Sequence, residues 1–186
     1  RVPLAPEVQA RPDDEGFAVQ HVSYAVEAGE RATALVVRPK GATGRRPVGM
    51  YLHGTGSSKD RSVARLKEFA RRGFLAVAPD ALTPLGGYPK EGEDKARELF
   101  PKLDQAKTRE DMVAVVSYAK ARPDSNGKVG AVGFCYGGGV VNQLAVRYPD
   151  MAAGDARIEW ADGGIVRERA RIEAAVLDAL GLPTIP

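Results

Sequence analysis

Residues 133–138 of the sequence, Gly-Phe-Cys-Tyr-Gly-Gly, carry the pattern with the strongest chemical implication. A cysteine between glycines, at the junction of a predicted strand and a predicted helix, is typical of a nucleophile elbow, in which the reactive atom sits on a sharp, strained turn. Gly133 and Gly137 fit the positions where the strand and helix backbones nearly touch. The N-terminus of a helix also favours the thiolate form of a thiol. Cys135 is therefore the candidate nucleophile for attack on a carbonyl carbon; the alternative is a buried structural cysteine.

A nucleophile of this kind needs hydrogen-bond donors for the oxyanion that forms when a carbonyl is attacked. The backbone N–H of Tyr136, directly after the cysteine, is the predicted first donor. The glycine-rich turn of residues 53–56 follows another predicted strand, and the amide of Gly54 or Thr55 is the predicted second donor. His53 begins this turn and is a candidate general base, because parallel strands end at one edge of their sheet. The alternative is that His53 only braces its loop through hydrogen bonds.

Hydrophobic spacing and turn signals predict the elements that would position these residues. The predicted strands are 17–26, 32–38, 48–52, 74–78 and 128–134. The predicted helices are 63–72, 94–100, 108–121 with Thr108 as its N-cap, and 140–148 after a tight turn at 135–139. The first two strands flank a turn signal and form a hairpin, and the later alternation of strands and helices implies a parallel sheet. The sequence thus predicts an α/β fold.

Composition limits the partners that the protein can have. With 186 residues, of which 44% are hydrophobic, the chain is predicted to form one domain over 1–186. A net charge of +3 without a basic block argues against nucleic acid, and the longest apolar stretch, 129–141, is shorter than the ~20 residues that span a bilayer. We predict no cofactor and no metal. The sequence begins at Arg1 without methionine, so a targeting signal cannot be inferred and the compartment, cytoplasmic or exported, stays open.

Residues 127–139 resemble the nucleophile segment of the dienelactone hydrolase family, also called carboxymethylenebutenolidases. Four further segments resemble the same family in the same order: 73–80, 84–87, 94–99 and 121–125. The similarity covers about residues 18–153 and implies an α/β-hydrolase fold, with a mostly parallel sheet, helices on both faces and an opening antiparallel hairpin. It also implies hydrolysis of a small-molecule lactone or carboxylic ester by a Cys-His-Asp triad, with Cys135 at the nucleophile position.

The sequence departs from that family after the nucleophile. The triad Asp and His follow the nucleophile in the family, whereas the 51 residues after Cys135 contain no histidine. Residues 154–186 diverge and end in a predicted amphipathic helix, so we expect a fold truncated at its C-terminal side. Missing strands would leave apolar edges, which favour a homo-oligomer or a complementing chain. The family also usually has a glutamate where Gly54 stands, and the turn around Gly54 is more similar to the oxyanion loops of other esterases.

Three functions stay open on the sequence. The first is a cysteine-dependent hydrolase of a lactone or ester. The second is a catalytically silent relative or fragment that at most binds small carbonyl compounds, which the histidine-free tail favours. The third is a nucleotide-binding oxidoreductase, supported by the spacing of Gly133, Gly137 and Gly139 at a strand-to-helix turn. Phosphate binding, however, does not explain a cysteine between those glycines.

Overall fold

The computed structural model describes residues 2–12 and 15–147, which form six strands and four helices. The strands are β1 Glu7–Ala10, β2 Phe17–Glu27, β3 Glu30–Pro39, β4 Arg46–Leu52, β5 Leu75–Pro79 and β6 Ser125–Gly133. The helices are α1 Val63–Arg71, α2 Glu93–Leu99, α3 Gln105–Ala121 and α4 Tyr136–Arg147. A short 3₁₀ helix at Asp60–Ser62 leads into α1, and two more, Thr83–Leu85 and Phe100–Lys102, flank α2.

The strands form one mixed sheet in the order β1-β2-β3-β5-β4-β6. Strands β1, β2, β3 and β5 pair antiparallel, whereas β4 pairs parallel with β5 on one side and with β6 on the other. The opening hairpin is confirmed: β2 and β3 are joined at Ala28 and Gly29, and Gly29 has φ +80°. Because β5, β4 and β6 run in the same direction, the loops that follow them meet at one edge of the sheet.

Helices cover both faces of the sheet, as predicted. Helix α1 packs through Leu66 and Ala70 onto the face that carries Leu35, whereas α3 packs through Met112 and Val116 onto the other face, together with α4. Strand β5 is buried along its whole length because both of its faces are covered. Each fully buried aliphatic side chain stabilises the fold by about 1.5–3 kcal/mol. This two-sided core fixes the strand ends from which the candidate site is built.

Helix α3 begins earlier than the sequence predicted. Asp104, and not Thr108, is its N-cap, since the Asp104 carboxylate accepts hydrogen bonds from the amides of Ala106 and Lys107 at 3.1 and 3.0 Å. Thr108 is buried one turn inside the helix, so the predicted cap was wrong. A carboxylate at this position also interacts favourably with the positive end of the helix dipole.

Near the N-terminus the structure has a strand that the sequence did not predict, and the predicted C-terminal helix lies beyond the part of the chain that is described. Strand β1 was not predicted; all of its residues are exposed, and it pairs with the outer side of β2. The divergent segment 154–186 and its predicted helix lie outside the described residues. Among residues 2–12 and 15–147, no helix combines the length and the apolar character that crossing a membrane requires.

Candidate active site

Cys135 lies between the end of β6 and the first residue of α4, with its backbone in the left-handed region at φ +54°. Residues that carry a Cβ rarely adopt this conformation, and where they do it commonly marks strain at a functional turn. Helix α4 begins at Tyr136, so the helix predicted from Val140 starts one turn too late and the turn predicted for 135–139 is mostly helix. The thiol therefore stands directly at the N-terminus of a helix.

The two glycines that flank the cysteine are required by close backbone contacts. A Cβ built on Gly133 would lie 2.4 Å from the carbonyl carbon of Gly137, and one built on Gly137 would lie 2.1 Å from the carbonyl oxygen of Leu52. No side chain fits at either position. Helix α4 thus starts in contact with the ends of β4 and β6, which is the geometry that an elbow requires.

The thiol of Cys135 is exposed, and three hydrogen-bond donors of Thr55 and Tyr136 act on it. Its Sγ lies 3.7 Å from Oγ1 of Thr55. Burial acts to raise the pKa of this thiol, but the Thr55 hydroxyl, the backbone amides of Thr55 and Tyr136, and the Arg97 guanidinium together lower it. Gly54 and Thr55 were both predicted as the second oxyanion donor, which stays a prediction; of their two amides, that of Thr55 is among the groups that lower the pKa of the thiol.

Residues 53–59, here called the oxyanion loop, lead from β4 towards the 3₁₀ helix before α1. The amide of Ser57 donates to the carbonyl oxygen of Gly54 at 3.2 Å, and Gly56 has φ +79°, which the third position of a type II turn needs. A Cβ built on Gly54 would lie 3.2 Å from Cβ of Cys135. A larger residue at position 54 would therefore press against Cys135.

His53 is fully buried, and both nitrogens of its ring have partners. The amide of Ala81 donates to Nε2 at 3.2 Å, so Nε2 carries the lone pair. The proton is then on Nδ1, which donates to the carbonyl oxygen of Gly54 at 3.0 Å. Within residues 2–12 and 15–147, no hydrogen bond joins His53 to Cys135. The hydrogen bonds of the His53 ring thus connect its loop to the end of β5 and do not include the thiol.

A buried ion pair ties the oxyanion loop to the end of β5. Nζ of Lys59 donates to Oδ2 of Asp80 at 2.8 Å, and both residues are almost fully buried. The other carboxylate oxygen accepts from the amide of Leu82 at 3.1 Å. Oδ1 also lies 3.6 Å from Nε2 of His53, which carries no proton in this tautomer. Burial acts to raise the pKa of Asp80, but the Lys59 ammonium lowers it. Because Nε2 of His53 is already occupied by the Ala81 amide, Lys59 supplies the positive charge that keeps Asp80 ionised.

Arg97 of α2 is a site residue that sequence reasoning missed. Its guanidinium donates to Oε1 of Glu93 at 2.5 Å, and its charge acts on Cys135. A Cβ built on Gly56 would lie 2.9 Å from Cγ of Glu93 and 3.0 Å from Cγ of Arg97, so α2 packs directly against the oxyanion loop. No local pattern distinguishes this arginine from other exposed helical residues; only the packing of α2 brings it to the site.

The groups that face one another at this edge are a thiol, two backbone amides, a hydroxyl and a guanidinium. Such a set can add a thiolate to a carbonyl carbon and hold the resulting oxyanion. Over the described stretches 2–12 and 15–147, no group of three or more His, Cys, Asp or Glu residues has an arrangement that would hold a metal ion.

The chain is similar in sequence to known proteins. The sequence model of the dienelactone hydrolase family matches residues 33–157. A carboxymethylenebutenolidase from Pseudomonas putida is 34% identical over an alignment of 90 residues that covers 45% of this chain and 38% of that protein. A carboxymethylenebutenolidase homolog from Mus musculus is 33% identical over 86 residues, which are 46% of this chain and 35% of that protein. The chain thus matches less than half the length of these curated relatives.

Solved structures share the fold at lower sequence identity. An acetyl xylan esterase from Paenibacillus sp. R4 has a TM-score of 0.61 and 22% identity, over 77% of this chain and 50% of that one. A dienelactone hydrolase-like promiscuous phosphotriesterase from metagenomic libraries has a TM-score of 0.59 and 23% identity, over 87% of this chain and 65% of that one. These likenesses confirm the α/β-hydrolase type of fold.

Proposed function

The chain belongs to the dienelactone hydrolase family, and from this premise we propose that it hydrolyses a small-molecule lactone or carboxylic ester with Cys135 as the nucleophile. The observation that carries the proposal is the position of the thiol. Cys135 stands at φ +54° between β6 and α4, next to the Thr55 hydroxyl and the amides of Thr55 and Tyr136. The two relatives described as carboxymethylenebutenolidase or its homolog support the choice of substrate class.

In the first half-reaction, the Cys135 thiolate attacks the carbonyl carbon and the carbonyl π electrons move onto oxygen. The amides of Thr55 and Tyr136 donate to that oxyanion, where two donors aimed at the developing charge stabilise the transition state. When the tetrahedral intermediate collapses, the carbon–oxygen bond to the alcohol breaks, and the leaving alkoxide takes a proton from solvent. A thioester on Cys135 and a free alcohol result; from a lactone, the alcohol stays attached to the acyl group.

In the second half-reaction, water attacks the thioester carbon and gives up one proton to solvent, and the same two amides hold the second oxyanion. Collapse of this intermediate breaks the carbon–sulfur bond, releases the carboxylic acid, which loses its proton to solvent, and restores the thiolate. Burial acts to raise the pKa of Cys135, but Thr55, Tyr136 and Arg97 lower it, which favours the thiolate without a contact to an imidazole.

Turnover of a p-nitrophenyl ester, measured beside alkylation of the thiol by iodoacetamide, tests this proposal. Cys135 is the one cysteine of the sequence, so one equivalent of label reports on it alone. We expect fast labelling near neutral pH, loss of turnover in the labelled protein, and loss of turnover in Cys135→Ala. Equal turnover in Cys135→Ala and the unmodified protein would refute the nucleophilic role.

A second candidate function is an acyl acceptor, in which the thioester forms but is hydrolysed very slowly. It is favoured by the contacts of His53, whose nitrogens are bonded to Gly54 and Ala81 and not to the thiol. Pre-steady-state kinetics separate the two functions, because slow deacylation gives a burst of one p-nitrophenol per Cys135 followed by a nearly flat phase. A linear time course with Cys135-dependent turnover supports the hydrolase.

A further inference from the structure

The contacts of His53 lead to a role for this ring other than that of a base. We propose that His53 is a positioning residue, whose ring holds the peptide bond between Gly54 and Thr55 so that the Thr55 amide points at Cys135. This inference rests on the proposed function, since it concerns the donors of the same oxyanion. It assigns to His53, and to the strand end that orients it, the task of aiming one of the two donors.

The argument begins with the rigidity of the peptide bond. The carbonyl of Gly54 and the N–H of Thr55 belong to one planar trans unit, so they point in opposite directions. The carbonyl oxygen of Gly54 accepts two hydrogen bonds, one from Nδ1 of His53 at 3.0 Å and one from the amide of Ser57 at 3.2 Å. Fixing this carbonyl therefore fixes the Thr55 N–H on the opposite side. Thr55 lies beside the thiol, with Oγ1 3.7 Å from Sγ of Cys135, and its amide lowers the pKa of that thiol.

The His53 ring can donate to Gly54 only in one tautomer, and a neighbouring strand end selects it. The amide of Ala81, just after β5, donates to Nε2 at 3.2 Å, and an amide cannot donate to a protonated nitrogen. The proton is thereby held on Nδ1, where it faces Gly54. The His53 and Phe100 rings also pack edge to face, with centroids 6.1 Å apart and an interplanar angle of 86°. Phe100 packs edge to face on Tyr136 as well, with a centroid distance of 5.2 Å and an interplanar angle of 73°.

The strand end that orients His53 is itself held to the oxyanion loop. The Asp80 carboxylate accepts hydrogen bonds from Nζ of Lys59 at 2.8 Å and from the amide of Leu82 at 3.1 Å. The backbone amide of Asp80 donates to the carbonyl oxygen of Thr33 at 3.0 Å. The oxyanion loop is thus attached to the turn after β5 at both of its ends, by His53 and by Lys59. A loop attached at two points keeps its donors in place before the substrate arrives, which is the condition for oxyanion stabilisation.

Three proteins decide between positioning and proton transfer: the unmodified chain, His53→Ala and His53→Asn. Asparagine places an amide N–H where Nδ1 of histidine stands, so it can still donate to Gly54, but it cannot take a proton from a thiol. For a positioning role, we expect His53→Ala to lower kcat for a p-nitrophenyl ester about 100-fold, with KM changed only a few-fold, and His53→Asn to recover most of the loss. A His53→Asn variant as inactive as His53→Ala would overturn the proposal.

Two readouts do not depend on ester turnover. The thiolate absorbance at 240 nm, with Cys135→Ala as the baseline, should show a higher titration midpoint in His53→Ala than in the unmodified chain and a recovered midpoint in His53→Asn. The nitrogen-15 shifts of the His53 ring at pH 8 should show the proton on Nδ1, and His53→Asn assigns the signal because the sequence has only two histidines. A proton on Nε2, or one midpoint in all three proteins, would overturn the proposal.

These readouts separate a failure of positioning from a failure of the proposed function. If Cys135→Ala hydrolyses the ester as fast as the unmodified chain, the nucleophilic role fails, yet the tautomer and the thiol titration still report on the aim of the Thr55 amide. If His53→Ala does not fold, the Asn variant and the tautomer of the unmodified chain decide the question without it.

Discussion

Nε2 of His53 accepts a hydrogen bond from the backbone amide of Ala81 at 3.2 Å, across the gap between the ends of β4 and β5. The histidine that adjoins the oxyanion loop is therefore engaged with a strand end, and its only proton is directed at Gly54. The groups that lower the pKa of Cys135 against burial are instead the Thr55 hydroxyl, two backbone amides and the Arg97 guanidinium. In the described part of the chain, fixed dipoles and one surface charge favour the thiolate.

The contribution of Arg97 to the thiol can be measured directly. Replacing Arg97 with Gln removes a positive charge that stabilises the thiolate, so the midpoint of the pH profile of iodoacetamide labelling should move upward in Arg97→Gln. Since Arg97 is exposed, the shift should shrink as salt is added. Lys95→Gln is the matched control on the same helix, because it removes the same charge from a side chain that pairs with Glu98 at 2.8 Å. An unchanged midpoint in Arg97→Gln at low salt would exclude this electrostatic effect.

The buried Lys59–Asp80 pair should make the folded state sensitive to acid. Burial acts to raise the pKa of Asp80, but the Lys59 ammonium, 2.8 Å away, lowers it below the ordinary value of 3.8. A carboxyl with a lowered pKa in the folded state stabilises that state above the unfolded pKa, and this stability is lost as pH falls from about 4 through the lower pKa of the folded state. The free energy of unfolding, measured with urea across this pH range, should fall more steeply with decreasing pH in the unmodified chain than in Asp80→Asn. Parallel curves would contradict the prediction.

Replacing Gly137 and Gly139 of α4 with alanine should change the stability of the protein in opposite directions. In Gly137→Ala the new Cβ would lie 2.1 Å from the carbonyl oxygen of Leu52, and backbone at both sides cannot give way, so we expect a loss of at least about 3 kcal/mol in unfolding free energy. In Gly139→Ala nothing lies within 4 Å of the new Cβ, and the better helix former should stabilise by about 0.5–1 kcal/mol. Urea midpoints of the two variants give the test; equal effects would mean that the elbow is not held by contact with β4.

Much of the fold follows from local patterns in the sequence. The β2–β3 hairpin and the buried strands β4 and β5 are marked by alternation, apolar runs and turn residues, and they form where predicted. The starts of α3 and α4 were misplaced in the sequence prediction because neither start is marked by a periodic apolar pattern. The first turn of α3, after Asp104, is polar and gives no apolar period. The glycines after Cys135 suggested a turn, but they lie within α4, where contact with Leu52 requires glycine at position 137.

The sequence named those residues of the candidate site whose positions follow from a local motif or from the order of strands and loops along the chain. Cys135, Tyr136 and the turn containing Thr55 were named from the motif and from the rule that parallel strands end at one edge. The partners of His53 were not, because Ala81 contributes only a backbone amide, which no side-chain pattern reveals. Arg97 was missed for a similar reason: the packing of α2 on Gly56 is a tertiary contact without a periodic signal.

The amide of Thr55 is the predicted donor whose removal most directly tests the oxyanion geometry. Proline at position 55 has no N–H, and proline is favoured at the second position of a type II turn, which Thr55 occupies between Gly54 and Gly56. Thr55→Pro therefore deletes the donor with little cost to the turn, and we expect kcat for a p-nitrophenyl ester to fall by about 10²–10³-fold. Thr55→Val is the matched control, because it keeps the amide and loses only the hydroxyl that lies 3.7 Å from Sγ of Cys135, which should cost no more than about tenfold. Circular dichroism and urea midpoints establish that both variants are folded. If Thr55→Pro and Thr55→Val lose activity equally, the hydroxyl and not the amide is the contributing group, and the assignment of Thr55 N–H as an oxyanion donor is wrong.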